Sequence, residues 1–470
     1  MPSLPCLPRN RHVTRRKIVF TSLCIGLLFL FSAAYRKKFS ERGKLTFPVS
    51  DILWASADRK IEEHFNNTTP HFKTLLTQLQ SQRRLSTTTK LHSRSGSLVE
   101  HPHFWPALRP ASEDLVVCYT TFATANRLLW LPWIIESWQG PVSVSAYIQG
   151  NEFYAVNIIE AYLRKCYGAG MARVTIHLVY PSDDRPEFGL RANDSIDLNS
   201  LKCGSPEEAI NDILTSFELD PTKTNEQFPQ NFMRNLARRG CDTPFSVSAD
   251  VDMIPCPYMY ENLSAFLKFK PDCEKCAYVI PIYEIQNSPG NLLPSTKKSL
   301  MRLVRKKEAR IYHSKVYSRN QGNSKLEKWG TDVSNSSADA LFWTLNGRGN
   351  RSIEAVDSVE ELAPYQELYN ITSYQEFWEP IVVLDRRAPE FDERFVGFGH
   401  CRSSLHYLLH ALGFQYWVLD RAFLSHFGFQ NLKTYAKFRL REIKENYQRY
   451  KILKKELQVG LESLKLKTES

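Results

Sequence analysis

The sequence predicts an α/β domain in which a mostly parallel, mixed sheet is flanked by helices. Three observations carry that prediction. The runs DLVVCYTTF from Asp114, GPVSVSAYIQG, and ARVTIHLVY (172–180) are short, apolar and rich in β-branched residues, as buried strands are. Between them, NRLLWLPWIIESW and NEFYAVNIIEAYLRKCY (151–167) repeat apolar residues at helical spacing. Strands that alternate with helices pair in parallel, because each crossover returns the chain to the same end of the sheet.

Ahead of this body the chain is of another kind. Of its 470 residues 43% are hydrophobic, enough for a substantial core, and the net charge is +11. Ten Lys/Arg and one acidic residue, Glu41, fall between Arg9 and Lys44. The remainder is close to neutral, so the pI of about 9.0 reflects a basic arm and does not argue for nucleic acid. Ile18 to Tyr35 is uncharged and 18 residues long, enough to span a bilayer as a helix. Five Lys/Arg lie on each side, so charge alone does not orient it. Ser32, Ala33 and Ala34 offer a signal-peptide cleavage site as the alternative. The absence of a polar turn before them and the basic stop after them favour an uncleaved anchor.

The expected organisation is a cytoplasmic tail over 1–17, a signal anchor over 18–35, a lumenal stem over 36–112 without sustained periodicity, and a folded domain over 113–470. Seven Asn-x-Ser/Thr sequons, at Asn66, Asn67, Asn193, Asn262, Asn335, Asn350 and Asn370, fit a body in the secretory lumen. Eight of the ten cysteines belong to that body, an even count that permits disulfides in an oxidising compartment. Cys273 and Cys276 form a CxxC with no second pair at zinc spacing, which favours disulfide partners over metal ligands.

Further along, residues 183–229 are polar and read as loops with short helices, and FPQNFMRNLARRG (228–240) reads as a helix stopped by Gly240. That helix feeds FSVSADVDMIP (245–255), a strand ending in two aspartates. YVIPIYEI (278–285), a basic helix around Lys297–Arg310, a loop carrying Trp329 and the apolar Ala340–Leu345 follow. From Leu432 the chain reads as one amphipathic helix packed on the domain or a partner, with Tyr435, Ile443, Tyr447, Tyr450, Leu453, Leu457 and Leu461 on its apolar face.

Asp250 and Asp252 sit one residue apart at the carboxyl end of a strand, where sheets of this kind place their ligand crevice. Two like charges that close require a positive group between them or open solvent. A hard divalent cation prefers carboxylate oxygens, and held by only two it keeps positions that a diphosphate can fill. An EF-hand does not fit, since Ile254 stands where that loop wants its third ligand.

The surrounding residues make this more specific. QFPQNFMRNLARRGCDTPFSVSADVDMIP resembles the donor-site segment of the β-1,4-glucuronyltransferase 1 family, glycosyltransferase family 49, shared with the C-terminal domain of the LARGE glycosyltransferases. EPIVVLDRRAPEFDERFVGFG (379–399) resembles its second motif, and GFQYWVLDRAFLSHFGF (413–429) the segment carrying its late histidine. The resemblance covers roughly residues 113–450.

It implies a GT-A fold, a UDP-sugar donor, Mn²⁺ and a glycan acceptor on a glycoprotein, in a type II protein of the Golgi membrane. The sugar it points to is glucuronate, transferred to xylose; another UDP-sugar or an inactive glycan-binding relative are the alternatives. A homo-oligomer is compatible with the sequence. Asp250, Asp252 and His426 match the metal ligands. Arg234 and Asn235 are implied to touch the donor, and Thr120 and Thr121, at the end of the first strand, to receive the uracil. Asp392 and Glu393 are the candidates for the base that an inverting transfer needs, with Asp392 preferred. Gly397 and Gly399 would let backbone approach the acceptor. After the GFG, relatives carry an aromatic, an Asn and a basic residue, whereas this chain has His400, Cys401 and Arg402, which leaves the donor sugar and acceptor open. The basic stretch from Lys297 to Trp329 is a candidate surface for an anionic acceptor.

Overall fold

The computed structural model describes residues 98–468, apart from 109–114, 187–197, 199, 224, 226, 271–272, 287–291, 332–341, 346–350, 354–362 and 432–436. The proposed anchor, most of the stem, and Asn66, Asn67, Asn193, Asn335 and Asn350 lie outside the described residues.

Sixteen strands are described. They are β1 (Leu98–Trp105), β2 (Val117–Thr124), β3 (Val142–Tyr147), β4 (Val174–Pro181), β5 (Phe245–Ser248), β6 (Met253–Pro255), β7 (Cys276–Ile280), β8 (Ile282–Ile285), β9 (Leu293–Pro294), β10 (Ala309–Ile311), β11 (Phe342–Leu345), β12 (Arg351–Ile353), β13 (Glu367–Ile371), β14 (Ile381–Asp385), β15 (Gln415–Leu419) and β16 (Leu424–Phe427). The helices are α1 (Leu131–Ser137), α2 (Glu152–Cys166), α3 (Gly168–Met171), α4 (Pro206–Ser216), α5 (Gln230–Arg239), α6 (Met259–Phe269), α7 (Lys297–Arg305), α8 (Arg319–Gly322), α9 (Leu326–Thr331), α10 (Cys401–Ala411) and α11 (Lys437–Thr468).

A nine-stranded sheet, in the order β1-β4-β3-β2-β5-β14-β7-β15-β13, organises the domain. The predicted alternation holds in its first half, where β4, β3, β2 and β5 pair in parallel. The second half departs from a mostly parallel sheet: β14 runs antiparallel to both β5 and β7, and β13 antiparallel to β15. Along the parallel strands every residue of β3 is buried, as expected where helices cover both faces.

Two sequence boundaries move. Leu98–Trp105, read as stem, is the edge strand β1, paired antiparallel to β4 from Leu98 opposite Pro181. Its burial alternates only irregularly, which hid the strand period. YVIPIYEI splits at Pro281 into β7 of the main sheet and β8 of a four-stranded sheet, β10-β8-β16-β6. Pro has no N–H for the ladder and ends a central strand.

Trp329 is on α9 rather than on a loop. It is wholly buried, donates from Nε1 to Leu419 O at 2.8 Å, and lies under the Lys297 ammonium, 4.3 Å from the ring centroid. Lys297 is buried as well and donates to Asp420 O. The two ends of this stretch thus belong to the core and are not available to an anionic acceptor.

The C-terminal helix forms as predicted from its described start at Lys437. Tyr450, Leu453 and Leu457 are buried, while Tyr447 is exposed. Its inner face also carries buried Glu442 and Asn446. Asn446 donates to Val396 O and Phe398 O, and Glu442 accepts from Phe398 N. Gly397 has φ +74, and a Cβ there would fall 2.4 Å from Glu442 Cδ; Gly399 meets Ile443 in the same way. These glycines let α11 approach the loop and do not open a path to an acceptor.

Three disulfides form, Cys118–Cys241, Cys166–Cys203 and Cys273–Cys276, so the CxxC is a disulfide. Among the described residues no helix is long and apolar enough to cross a membrane.

Candidate active site

The site is built where β5 ends. Arg234 lies on α5, which runs antiparallel to β5 and immediately precedes it, so its first half overlies the strand's carboxyl end. Arg234 Nη2 reaches Asp250 Oδ1 at 3.0 Å, held by bonds to Asn231 Oδ1 and Gln230 Oε1, with its guanidinium 5.0 Å from the Phe122 ring centroid. Arg402, the second residue of α10, reaches the same oxygen at 2.7 Å and donates from Nη1 to Ser248 O at 2.8 Å. Two guanidiniums less than a tenth exposed thus answer the charge of Asp250. Burial alone would raise this carboxyl, but Arg402 and Arg234 hold it below its ordinary value.

Asp252 has a different partner. The chain turns after Asp252 into β6, whose Met253 stands opposite His426 of β16. That register brings His426 Nε2 to 3.7 Å from Asp252 Oδ2. Burial would raise Asp252, yet the neighbouring imidazole and Arg127 pull it down to about 2. For His426 burial acts downward, and Asp252 more than offsets it, so the imidazole is raised. Tyr312, its ring centroid 5.3 Å from that of His426, closes this side.

A separation of 3.7 Å is too long for a hydrogen bond and suits two ligands flanking one cation, whose bonds to nitrogen or oxygen are about 2.0–2.6 Å. His426 Nδ1 lies 3.3 Å from Gly428 O, the carbonyl contact that fixes a tautomer with Nε2 turned to the metal. Gln430 Nε2 approaches Nε2 at 3.1 Å. Asp252 and His426 therefore fit a divalent ion. Asp250 commits Oδ1 to two arginines, so the three expected ligands are not pre-gathered; among the described residues no group of three or more His, Cys, Asp or Glu converges as a ligand set.

Other expected positions are placed elsewhere. β2 continues to Thr124, so Thr120 and Thr121 are inside the sheet and 1% exposed. Thr120 Oγ1 bonds Ser248 Oγ at 2.7 Å, and the Thr121 hydroxyl has no partner among the described residues. Neither is presented at the strand end to receive a base. Asn235 donates to Phe391 O and Glu393 Oε1 and accepts from Phe391 N, pinning the loop after β14 to α5. Its amide is used up there and not offered to a donor.

Asp392 is 4% exposed, and both of its oxygens accept from Arg394, Nη2 at 2.7 Å and Nε at 3.0 and 3.1 Å. Arg394 in turn grips Glu456 of α11 with two bonds of 2.8 Å. A carboxylate so committed is a poor proton acceptor, which corrects the sequence expectation. Glu393 keeps company with Asn235, Arg239 and the acidic Glu390 and Glu100 along the second half of α5, and burial raises its carboxyl. The fragment EFDER contains Arg394 and so allowed this pairing, but it gives no sign of Glu456, which a helix sixty residues away brings in to hold the arginine in place.

Of the two sequons described, Asn370 is exposed on β13, whereas Asn262 is buried on α6 within reach of Tyr365. A buried amide leaves no room for a glycan in the folded domain. Arg402, treated in the sequence only as a departure, proves to touch Asp250; its position right after the GFG was the available signal.

The family described as glycosyl-transferase for dystroglycan matches residues 116–461. Human β-1,4-glucuronyltransferase 1 is 28% identical over 352 residues, 73% of this chain and 75% of that protein. The enzyme of that name from Danio rerio is 27% identical over 350 residues, 73% of this chain and 72% of that protein. Mouse xylosyl- and glucuronyltransferase LARGE1 is 21% identical over 352 residues, covering 72% of this chain and 36% of that longer protein. Among solved structures, GalNAc-T7 with UDP, GalNAc and Mn²⁺ overlays 71% of this chain and 47% of that one at 6% identity and a TM-score of 0.30, too distant to argue from.

Proposed function

The chain belongs to the family of glycosyl-transferases for dystroglycan and is a transferase, and from that premise we propose that it moves glucuronate from UDP-glucuronate, with inversion, onto a xylose-terminated glycan such as an O-mannosyl glycan. The reading takes the domain as a GT-A catalytic domain. It rests on one arrangement above all: Asp250 and Asp252 at the end of β5, with Arg234 and Arg402 on the first and His426 beside the second.

Asp252 and His426 would hold Mn²⁺, with Asp250 two residues away, and the ion when bound supplies positive charge that offsets the departing diphosphate. Arg234 and Arg402 fix Asp250 and add two positive charges near the donor's anionic groups. We further propose a Golgi-lumenal domain anchored by residues 18–35 and joined by a stem that ends before Leu98. The disulfides and the exposed Asn370 support an oxidising, glycosylating compartment.

A panel of UDP-sugars, with Mn²⁺ and a xylose-terminated acceptor, tests this by UDP release. UDP-glucuronate should dominate. A different preferred sugar removes the glucuronate assignment, and no release with any donor removes the transfer reading.

A further inference from the structure

Glu379 opens the second motif, EPIVVLDRRAPEFDERFVGFG, and is a carboxylate to which the sequence reading gave no role. Its position follows from register. β14 is antiparallel to β5, with Val383 opposite Val247 and Asp385 opposite Phe245, so residues just before Ile381 lie beside those just after Ser248. Glu379 therefore stands at the end of the sheet where Asp250 and Asp252 emerge. It is half-buried, neither sealed in the core nor free in solvent.

Rigid elements aim it. Asn320 of α8 donates from Nδ2 to Glu379 Oε2 at 3.0 Å, and Glu379 N donates to Asn320 O at 3.0 Å. Ser403 of α10 lies on another side and acts to lower its proton affinity. Arg402, the residue before Ser403, is the cation that acts most strongly on it and holds Asp250 at the same time, with Arg234 of α5 acting in the same direction. Tyr317, Tyr374 and the Cys401 thiol also lie within its field, and burial pushes all three upward, which leaves them neutral.

We propose that Glu379 is the general base that accepts the proton of the acceptor hydroxyl. The assignment rests on the transfer reading above. In the step, the acceptor oxygen forms a bond to the anomeric carbon while the bond from that carbon to the diphosphate oxygen breaks. The electron pair leaves with UDP, and the hydroxyl proton passes to a Glu379 oxygen. Asp392 is excluded from this role by Arg394, and Glu393 is held by Asn235 and lies beside Arg239, away from the aspartates' cations. Burial raises the Glu379 carboxyl above its usual range even though Arg402, Ser403 and Arg234 act downward. A base in a transferase gains from that direction, since a higher proton affinity strengthens proton transfer.

The test uses the full-length protein with Mn²⁺, the preferred UDP-sugar and acceptor, and compares wild type with Glu379→Gln and Asn320→Ala. For Glu379→Gln, kcat should fall about 10²–10⁴-fold, with UDP affinity unchanged within about twofold. The wild-type rate should decline on the acid side as Glu379 takes up a proton, and Asn320→Ala should move that limb because it removes the bond to Oε2. A Glu379→Gln enzyme within about threefold of wild-type kcat overturns the assignment. So does parallel loss of UDP affinity and folding, or a wild-type profile with no acid limb. A wild type that releases no UDP from any donor overturns the transfer reading itself, and is distinguished because no wild-type rate then exists to compare.

Discussion

Replacing Asp392 by Asn separates a structural carboxylate from a chemical one. Its two oxygens accept Arg394 Nη2 at 2.7 Å, Nε at 3.0 and 3.1 Å, and Arg394 N at 3.1 Å. The amide is nearly isosteric but neutral, and it turns an N–H₂ toward a guanidinium. Removing one partner of a buried ion pair costs about 3–5 kcal/mol. Arg394 retains Glu456, whose side chain is 39% exposed and screened by water, and this remaining partner brings the cost to just below that range, about 2–3 kcal/mol. In a domain this large each kcal/mol lowers Tm by roughly 2 °C, which gives a shift of about 4–6 °C. Calorimetry of both proteins, paired with UDP release well below either midpoint, reads the two quantities separately. We expect the lower Tm with kcat within about threefold of wild type. A variant with wild-type Tm and a kcat about a hundredfold down, the scale of a lost base, would refute the structural reading.

Other outcomes follow from the same contacts. Asp252→Asn and His426→Ala should each weaken Mn²⁺-dependent UDP binding by about tenfold or more, measured by titration calorimetry, with little change in Tm. Asp250→Asn should lower Tm as well, because it strands two buried guanidiniums; equal Tm values for the Asp250 and Asp252 variants would contradict the ion-pair assignment. Burial holds His177 down at about 3, where its Nδ1 accepts from His103 N and its Nε2 pairs with Ser143. The unfolded chain therefore takes up this proton below about pH 6.5 and the folded one only near 3, so stability falls as pH drops through that window. His177→Gln should flatten the slope in urea titrations, and an unchanged slope would show that other groups carry it. The anchor reading predicts that the protein resists carbonate extraction and loses apparent mass on N-glycosidase treatment; a soluble product beginning near Tyr35 would exclude it.

The sequence by itself determined what depends on neighbours along the chain. Periodicity located β2, β3, β4, α2 and α5 to within a few residues, because burial on one face repeats at the spacing of the element. Asp250 and Asp252 were visible as a pair because a strand and a turn suffice to place them. What the pair faces was decided by tertiary structure. Its partners come from α5, α10 and β16, up to 174 positions away, and only the tertiary fold sets which side chain meets which carboxylate. The same cause separates Asp392 from Glu379. In the sequence both are carboxylates in one motif, and Asp392 stands in the more suggestive context. In the fold an arginine and the C-terminal helix close around Asp392, whereas the antiparallel turn of β14 against β5 carries Glu379 to the aspartates. Proton affinity and access are set by burial and by charges brought together in space, and neither is encoded in local spacing.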